Sequence, residues 1–319
     1  MDAVPTIDLA PWFHGDEPAR AEVAARVDAA LREIGFLVIT GHGVPAALRA
    51  DIRAAARRFF ALPEETKRAY AVTIGERGWL PPGVEANGYA EGTPTPPDLK
   101  ETFAVGAHEP VGDPEIDAEW FLPNVWPGEV PELERLLTEY LERMRALSNG
   151  LLELCAAALG LAPGFFTSRA DHPSYTLNIN RYPPLSQVGP PEPGQFRIGP
   201  HTDFGTVTVL DRQDGVGGLQ VYSDEAGWVN APYVEDSFTI NVGDLLARWT
   251  GDRWKSNRHR VLPPDPSAPD EELVSLIFFY ECNPDAVISS VPAPVGRVEH
   301  EPVRAHDYLL GKLNAITVG

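Results

Sequence analysis

The chain has 319 residues, 43% of them hydrophobic and 23% charged, which is enough apolar material for a sizeable core and one to two domains. Its 26 Lys and Arg against 46 Asp and Glu leave a formal charge of −20, which repels phosphate backbones and anionic lipid headgroups, and the densest basic cluster, Arg253 to Arg260, is short and interrupted. Nucleic acid and membrane surfaces are therefore excluded as primary partners, and two cysteines, Cys155 and Cys282, allow at most one disulfide.

The opening Met1-Asp2-Ala3-Val4-Pro5 lacks a charged then apolar leader, and no uncharged apolar run approaches the roughly 18 residues a spanning helix needs. The expectation is a soluble, cytoplasmic protein, monomeric by default. Glu17 to Glu33 carries Val23, Val27, Ala30, Leu31 and Ile34 at helical spacing, and Gly35 ends it. Phe36 to Thr40 is a short β-favouring run, and Gly41-His42-Gly43 is a turn in which His42 reads as structural. Pro45 suits the first turn of a second helix, Ala46 to Ala61. The stretch from Trp79 to Pro97 is irregular and could cover a site. A third helix starts near Pro131 and runs through Leu133, Leu136, Leu137, Tyr140, Leu141, Met144, Leu147 and Leu151 toward Gly160.

From Tyr175 the texture changes to short β-like runs: Tyr175 to Asn180, Thr206 to Leu210, Leu219 to Tyr222, Ser237 to Val242 and Leu273 to Tyr280. Many short strands with Pro and Gly between them predict a sandwich or barrel, not alternating βαβ units. Pro183 to Pro200 and Pro263 to Pro269 read as surface loops, and no glycine-rich phosphate loop follows a strand. Val303 to Leu313 has helix-like spacing and could cap a pocket.

Within Arg197-Ile198-Gly199-Pro200-His201-Thr202-Asp203, residues 201 and 203 share one side of an extended strand, so an imidazole and a carboxylate face one point. His259, far downstream, offers a third ligand. Two His and one carboxylate leave half an octahedron open, the arrangement of non-haem Fe(II) oxygenases. The pair alone is weak: 8 His among 46 acidic residues predict about one His-x-acid pair by chance, and His14-Gly15-Asp16 is a second, read as a surface accident. No His-Glu-x-x-His helix supports a hydrolytic zinc site.

Further segments carry a resemblance. Val4 to Leu9, Gly35 to Pro45, Phe59 to Pro63 with Lys67, Arg77-Gly78-Trp79, Asp98-Leu99-Lys100-Glu101-Thr102-Phe103, Asn180-Arg181-Tyr182-Pro183-Pro184, Gly218 to Val221, Asn241-Val242-Gly243-Asp244 and His259-Arg260-Val261 follow one another in the order of a known family. Over residues 4–284 the chain resembles the isopenicillin-N-synthase-like branch of the Fe(II)/2-oxoglutarate-dependent dioxygenases. The resemblance implies a mainly β fold with flanking α-helices, a distorted double-stranded β-helix or jelly-roll core. It implies one catalytic unit over 1–319, with a helical N-terminal region (1–170) and a jelly-roll core plus C-terminal helix (171–319). It also implies His201, Asp203 and His259 as iron ligands; Fe(II), 2-oxoglutarate and O2 as cofactor and co-substrates; and hydroxylation of a small molecule with succinate and CO2 as co-products. Asn180, Tyr182 and Ser275 are the expected co-substrate residues. Arg77, Phe103 and Phe279, with Tyr89, lie in segments the family places around the substrate.

One position departs from the pattern. The family usually has an Arg two residues before the Ser on a late strand, to grip a carboxylate; here Leu273 precedes Ser275, and no Lys, Arg or His occurs from Val261 to Gly296. A guanidinium forks onto a carboxylate with two charge-assisted bonds, so the loss is physically consequential. Three readings stand. An Arg from another element (Arg181, Arg197, Arg212 or Arg248) supplies the charge; or Tyr182, Asn180 and Ser275 hold the co-substrate by hydrogen bonds; or the protein is an oxidase that does not use 2-oxoglutarate. A non-catalytic metal- or ligand-binding jelly roll is the reading from outside enzymology.

Overall fold

The computed structural model describes residues 4–88, 95–216 and 218–316; Tyr89 lies outside them. In chain order the elements are β1 (Thr6–Asp8), α1 (Ala10–His14), α2 (Glu17–Glu33), β2 (Phe36–Thr40), α3 (Ala46–Phe60), α4 (Glu64–Lys67), β3 (Gly78–Leu80), β4 (Glu101–Gly106), α5 (Pro114–Trp120) and α6 (Glu132–Ala158). Then follow β5 (Tyr175–Tyr182), α7 (Leu185–Val188), β6 (Ile198–His201), β7 (Val207–Asp211), β8 (Leu219–Ser223), β9 (Gly227–Asn230), β10 (Phe238–Val242), α8 (Asp244–Trp249), β11 (His259–Val261) and β12 (Leu273–Tyr280). The chain ends with the small pair β13 (Val287–Ile288) and β14 (Val303–Arg304) and with α9 (Ala305–Ile316).

Local chemistry sets several boundaries. Asp16 caps α2 by accepting a hydrogen bond from the Ala19 amide, which gives the acid of the His14-x-Asp16 pair a structural task. Gly35, at φ 71°, turns the chain out of α2 in the left-handed region that β-carbon-bearing residues resist.

Eight strands form the large sheet, in the order β1-β2-β10-β7-β12-β5-β4-β3, and β6-β11-β8-β9 form a smaller one. This is the distorted double-stranded β-helix with flanking helices. The N-terminal region is less purely helical than expected, because β1 to β4 extend the large sheet on both sides of the later strands. Alternation along the large sheet separates two environments. Leu37, Ile39, Phe103, Val105, Leu177, Ile179, Val209, Phe238, Ile240, Leu276 and Phe278 pack with α2, α3 and α6 in the main core. The alternate residues face the other way: Phe36 and Val38 meet Leu219 and Val221 of the small sheet in a second, smaller core. Much of that inner face is polar yet buried, with Thr102, Asn180, Tyr182, Thr208, Thr239, Asn241 and Ser275 all shielded from solvent.

Buried charge ties the helices to the sheet. Asp211 of β7 pairs with Arg53 at 2.6 Å and Arg49 at 3.3 Å, both from α3. Glu101 of β4 accepts from Lys67 at 2.7 Å, the Trp79 indole at 2.8 Å and Arg181 at 2.8 Å. Cys155 and Cys282 are both free and buried, so the one formally possible disulfide is not formed. Truncating Glu101 removes the carboxylate partner of the buried Lys67 and leaves Arg181 with Glu272 alone. Glu101→Ala is expected to cost about 3–5 kcal/mol in urea unfolding, as for a buried pair losing one partner; a cost under about 1 kcal/mol would mean water reaches Lys67 and Arg181.

Candidate metal centre

His201 closes β6, and β11 pairs antiparallel with β6 so that His259 lies directly opposite it. Their ring centroids are 4.2 Å apart. Asp203 lies two residues beyond His201, outside the strand, so strand alternation alone does not aim its carboxylate. Two donors from the large sheet do: Thr208 Oγ1 and Asn241 Nδ2 each donate to Asp203 Oδ2 at 2.6 Å. Oδ1 is left facing the His201 Nε2 at 3.6 Å and the His259 Nε2 at 3.7 Å. The loop itself is fixed by the first turn of α8, whose Asp244, Leu245 and Leu246 amides donate to the carbonyls of Asp203, Phe204 and Gly205. Gly243 is required there by proximity, since a β-carbon would stand 2.3 Å from the Gly205 oxygen.

Both imidazoles are oriented by backbone. The Nδ1 of His201 lies 2.8 Å from the Gly199 carbonyl and that of His259 lies 3.2 Å from the Asn257 carbonyl. A carbonyl only accepts, so Nδ1 carries the proton and Nε2 presents its lone pair, the arrangement that fixes metal-binding histidines. Asn257 is clamped in turn: its side-chain amide donates to the carbonyls of Ile34 and Tyr222. The edge of Phe36 packs against His259 at 5.2 Å. Burial, with His201 beside it, pulls His259 down to about 4, so it is neutral at pH 7. Burial pushes Asp203 upward, but the two histidines, Asn241 and Thr208 outweigh it and hold the carboxylate below its usual range. Two imidazoles and a carboxylate, with ligand atoms within 4.8 Å of one another, make this the one cluster of three or more potential ligands among the described residues. The donor set suits a non-haem Fe(II) ion with open positions.

A polar wall adjoins the triad. Asn180 and Ser275 are register partners on β5 and β12, and Leu273 pairs with Tyr182. Tyr182 hydrogen-bonds to Asn180 and Ser275, and burial raises its pKa. Thr102 Oγ1 donates to the side-chain Oδ1 of Asn180 at 2.9 Å and accepts from Lys100 at 3.1 Å. The sequence alone does not single out Lys100 as a site residue, although its even spacing from Thr102 places both on the inner face. Burial disfavours its charge, but Glu85 and Asp98 beside it hold it protonated. Phe279 pairs with Thr208, which puts it on the triad's side of β12.

Two expectations about substrate residues change. Phe103 points into the helix-packed core, its ring 4.8 Å from that of Phe59, because the alternation that turns Thr102 inward turns Phe103 outward. Arg77 is buried beside Gly106 and donates to the carbonyls of Gly75 and Trp120. His42 stacks on Phe238 at 3.9 Å, a structural role as expected. Of the four arginines considered against Leu273, Arg181 is engaged by Glu101 and Glu272, Arg212 by the carbonyls of Ala231 and Pro232, and Arg248 by that of Glu301. Arg197 lies inside the sandwich, 5.9 Å from the Tyr182 ring. The C-terminal helix reaches the site's edge: Lys312 bonds Asp244 at 2.6 Å and lies 5.8 Å from the Phe204 ring.

Residues 4–129 match the family described as the N-terminal region of the non-haem dioxygenase in morphine synthesis, and residues 173–281 match the 2OG-Fe(II) oxygenase superfamily. The chain is 46% identical over 295 residues to the validamycin A dioxygenase of Streptomyces hygroscopicus subsp. limoneus, covering 92% of this chain and 81% of that protein. It is 36% identical over 270 residues to the 2-oxoglutarate-dependent dioxygenase caaD of Aspergillus niger, covering 81% and 79%. A full-length Neurospora crassa protein, crystallised in complex with alpha-KG and thymine, superposes with a TM-score of 0.84 at 27% identity, over 98% of this chain and 96% of that one. A 2OG-Fe(II) oxygenase family protein from Caulobacter crescentus gives 0.84 at 28% identity, over 99% and 100%.

The buried, neutral state of His259 has a measurable consequence in the metal-free protein. The unfolded chain protonates this residue near 6.5 while the folded chain resists until about 4, so stability falls as pH drops through that window. Urea midpoints of metal-free protein are expected to be lower at pH 5 than at pH 7, and less so in His259→Gln. Equal pH dependence in the two proteins would place the His259 proton elsewhere.

Proposed function

The chain belongs to the 2OG-Fe(II) oxygenase superfamily and is a 2-oxoglutarate-dependent dioxygenase, and from that premise we propose that His201, Asp203 and His259 hold its iron and that it hydroxylates a C–H bond of a small molecule. The observation that carries this reading is the pinned Asp203 carboxylate, whose Oδ1 faces the Nε2 atoms of His201 and His259. Iron, when bound, supplies the O2 chemistry that couples decarboxylation of 2-oxoglutarate to oxidation of the substrate, giving succinate and CO2. The protein's own contribution is geometric and electrostatic. Thr208 and Asn241 keep Asp203 ionised and oriented. The carbonyls of Gly199 and Asn257 fix the imidazole tautomers. Asn180, Tyr182 and Ser275 offer hydroxyl and amide groups to the co-substrate's far end. Phe36, Phe279 and the inner apolar cluster keep bulk water from the reacting centre.

The substrate to try first is validamycin A, on the strength of the 46% identity to the validamycin A dioxygenase. Phe279, on the triad's face, is the residue we assign to the substrate's side. We further propose one catalytic unit over residues 1–319, acting as a monomer in the cytoplasm without a nucleic-acid partner. No described helix is long and apolar enough to cross a membrane.

Succinate formation from 2-oxoglutarate should require Fe(II) and be abolished by a chelator. Asp203→Ala should lose metal binding and at least about 10³-fold of the rate, in line with the loss of a charged ligand, while circular dichroism stays native because the helix-packed core does not depend on the ion. Iron bound normally by Asp203→Ala would overturn the ligand assignment.

A further inference from the structure

The family's arginine is missing at Leu273, yet the far carboxylate of 2-oxoglutarate still has to leave water. A buried carboxylate without a cation or several donors is strongly disfavoured. Two cations stand beside Tyr182 inside the sandwich, Lys100 just ahead of β4 and Arg197 just ahead of β6. Their surroundings differ. Lys100 is flanked by two carboxyl groups, Glu85 and Asp98, and its ammonium is already engaged by Glu85. The carboxylate described beside Arg197 is that of Glu271, at 3.1 Å.

Position also favours Arg197. Its side chain is fully buried, with Nη2 on Glu271 Oε1 and Nη1 3.4 Å from the Val216 carbonyl. Glu271 Oε2 accepts from the Val216 amide, and the bare face of Gly215 is covered by both Glu271 and Leu273, which lie 2.8 and 2.7 Å from where its β-carbon would be. The Arg197 guanidinium thus shares its surroundings with the Leu273 side chain. It reaches from the small sheet the neighbourhood that a longer side chain at 273 would reach from the large one. On the other side its charge faces the ring of Tyr182, whose hydroxyl is linked to Ser275 and Asn180. A planar guanidinium can hold Glu271 on one edge and a second carboxylate on another, which an ammonium does less selectively.

We propose that Arg197, oriented by Glu271 and the Val216 carbonyl, is the cation that holds the far carboxylate of 2-oxoglutarate, with Tyr182 and Ser275 as its hydroxyl partners. The assignment rests on the 2-oxoglutarate reading above.

The test compares two keto acids in anaerobic calorimetric titrations of the Fe(II)-loaded protein: 2-oxoglutarate, and 2-oxovalerate, which keeps the chelating end and lacks the far carboxylate. Wild-type protein is expected to prefer 2-oxoglutarate by about 10- to 100-fold, the range of hydrogen bonds to a charged group. Arg197→Met combined with Glu271→Gln, which strands no carboxylate, should bring that preference close to one while 2-oxovalerate binds as before. Adding Leu273→Arg to that pair should restore the preference, and the rescue also guards against a merely misfolded variant. Arg197→Lys should retain part of it. The proposal is overturned if the double variant keeps the wild-type preference, if both keto acids weaken equally, or if Lys100→Met is the change that abolishes the preference. Wild-type protein that binds neither keto acid would instead overturn the 2-oxoglutarate reading itself.

Discussion

The two oxygens of the Asp203 carboxylate have separate partners, and much of the architecture follows from that division. Oδ2 takes two short hydrogen bonds from the large sheet, from Thr208 on β7 and Asn241 on β10. Oδ1 faces two imidazoles that belong to the small sheet, or border it. The residue therefore joins the two sheets at the point where they are closest in chemistry and carries a buried negative charge that neither sheet could hold alone. Buried charge with incomplete partners is costly, whereas here both lone-pair directions of Oδ2 are filled and Oδ1 awaits a cation. The Asn241-Val242-Gly243-Asp244 run serves the same end three times over, through the Asn241 amide, the bare Gly243 face and the α8 amides that grip residues 203–205.

The large sheet explains how such a site coexists with a stable fold. Its outer face is apolar and packed under α2, α3 and α6, so the stability that comes from burial is concentrated on one side. The inner face can then be lined with Thr, Asn, Tyr and Ser, held by neighbours on the sheet, as Thr102 by Asn180 and Tyr182 by Ser275, or by the loop that carries Asp203, as Thr208 and Asn241. Polar groups that are dry but mutually bonded are rigid, and rigidity is what a binding wall requires.

Elements with strong periodicity are legible in the sequence. The helix read over Glu17 to Glu33 and the strands read over Phe36 to Thr40 and Leu273 to Tyr280 have those bounds in the structure. The triad is legible as residues but not as geometry, since the aim of Asp203 comes from Thr208 and Asn241, one five residues on and the other on a different strand. β4 is not evident as a strand from its sequence, and the reason is physical: all six of its residues are buried, so no polar face marks its two sides. That is also why sequence alone sets Phe103 near the substrate and passes over Lys100. Short strands such as β3, β6 and β11, three or four residues long, carry too few residues for a period to register.

Leu273 is the position where sequence pattern and structure have to be weighed together. An arginine on β12 would stand beside Tyr182 at a half-buried strand start, with water available to part of its guanidinium. Arg197 is wholly enclosed, which raises the cost of its charge and makes a standing partner necessary; Glu271 is that partner. With Leu273 closing over Gly215, the rim that would have been charged becomes apolar, and the charge retreats behind it. Moving a cation inward lowers the effective dielectric around it and strengthens each bond it makes to an entering carboxylate, at the expense of the desolvation that Glu271 offsets beforehand. A leucine in place of an arginine is then not the removal of an anchor but the exchange of an exposed one for a buried one, with the same hydroxyls of Tyr182 and Ser275 at its side.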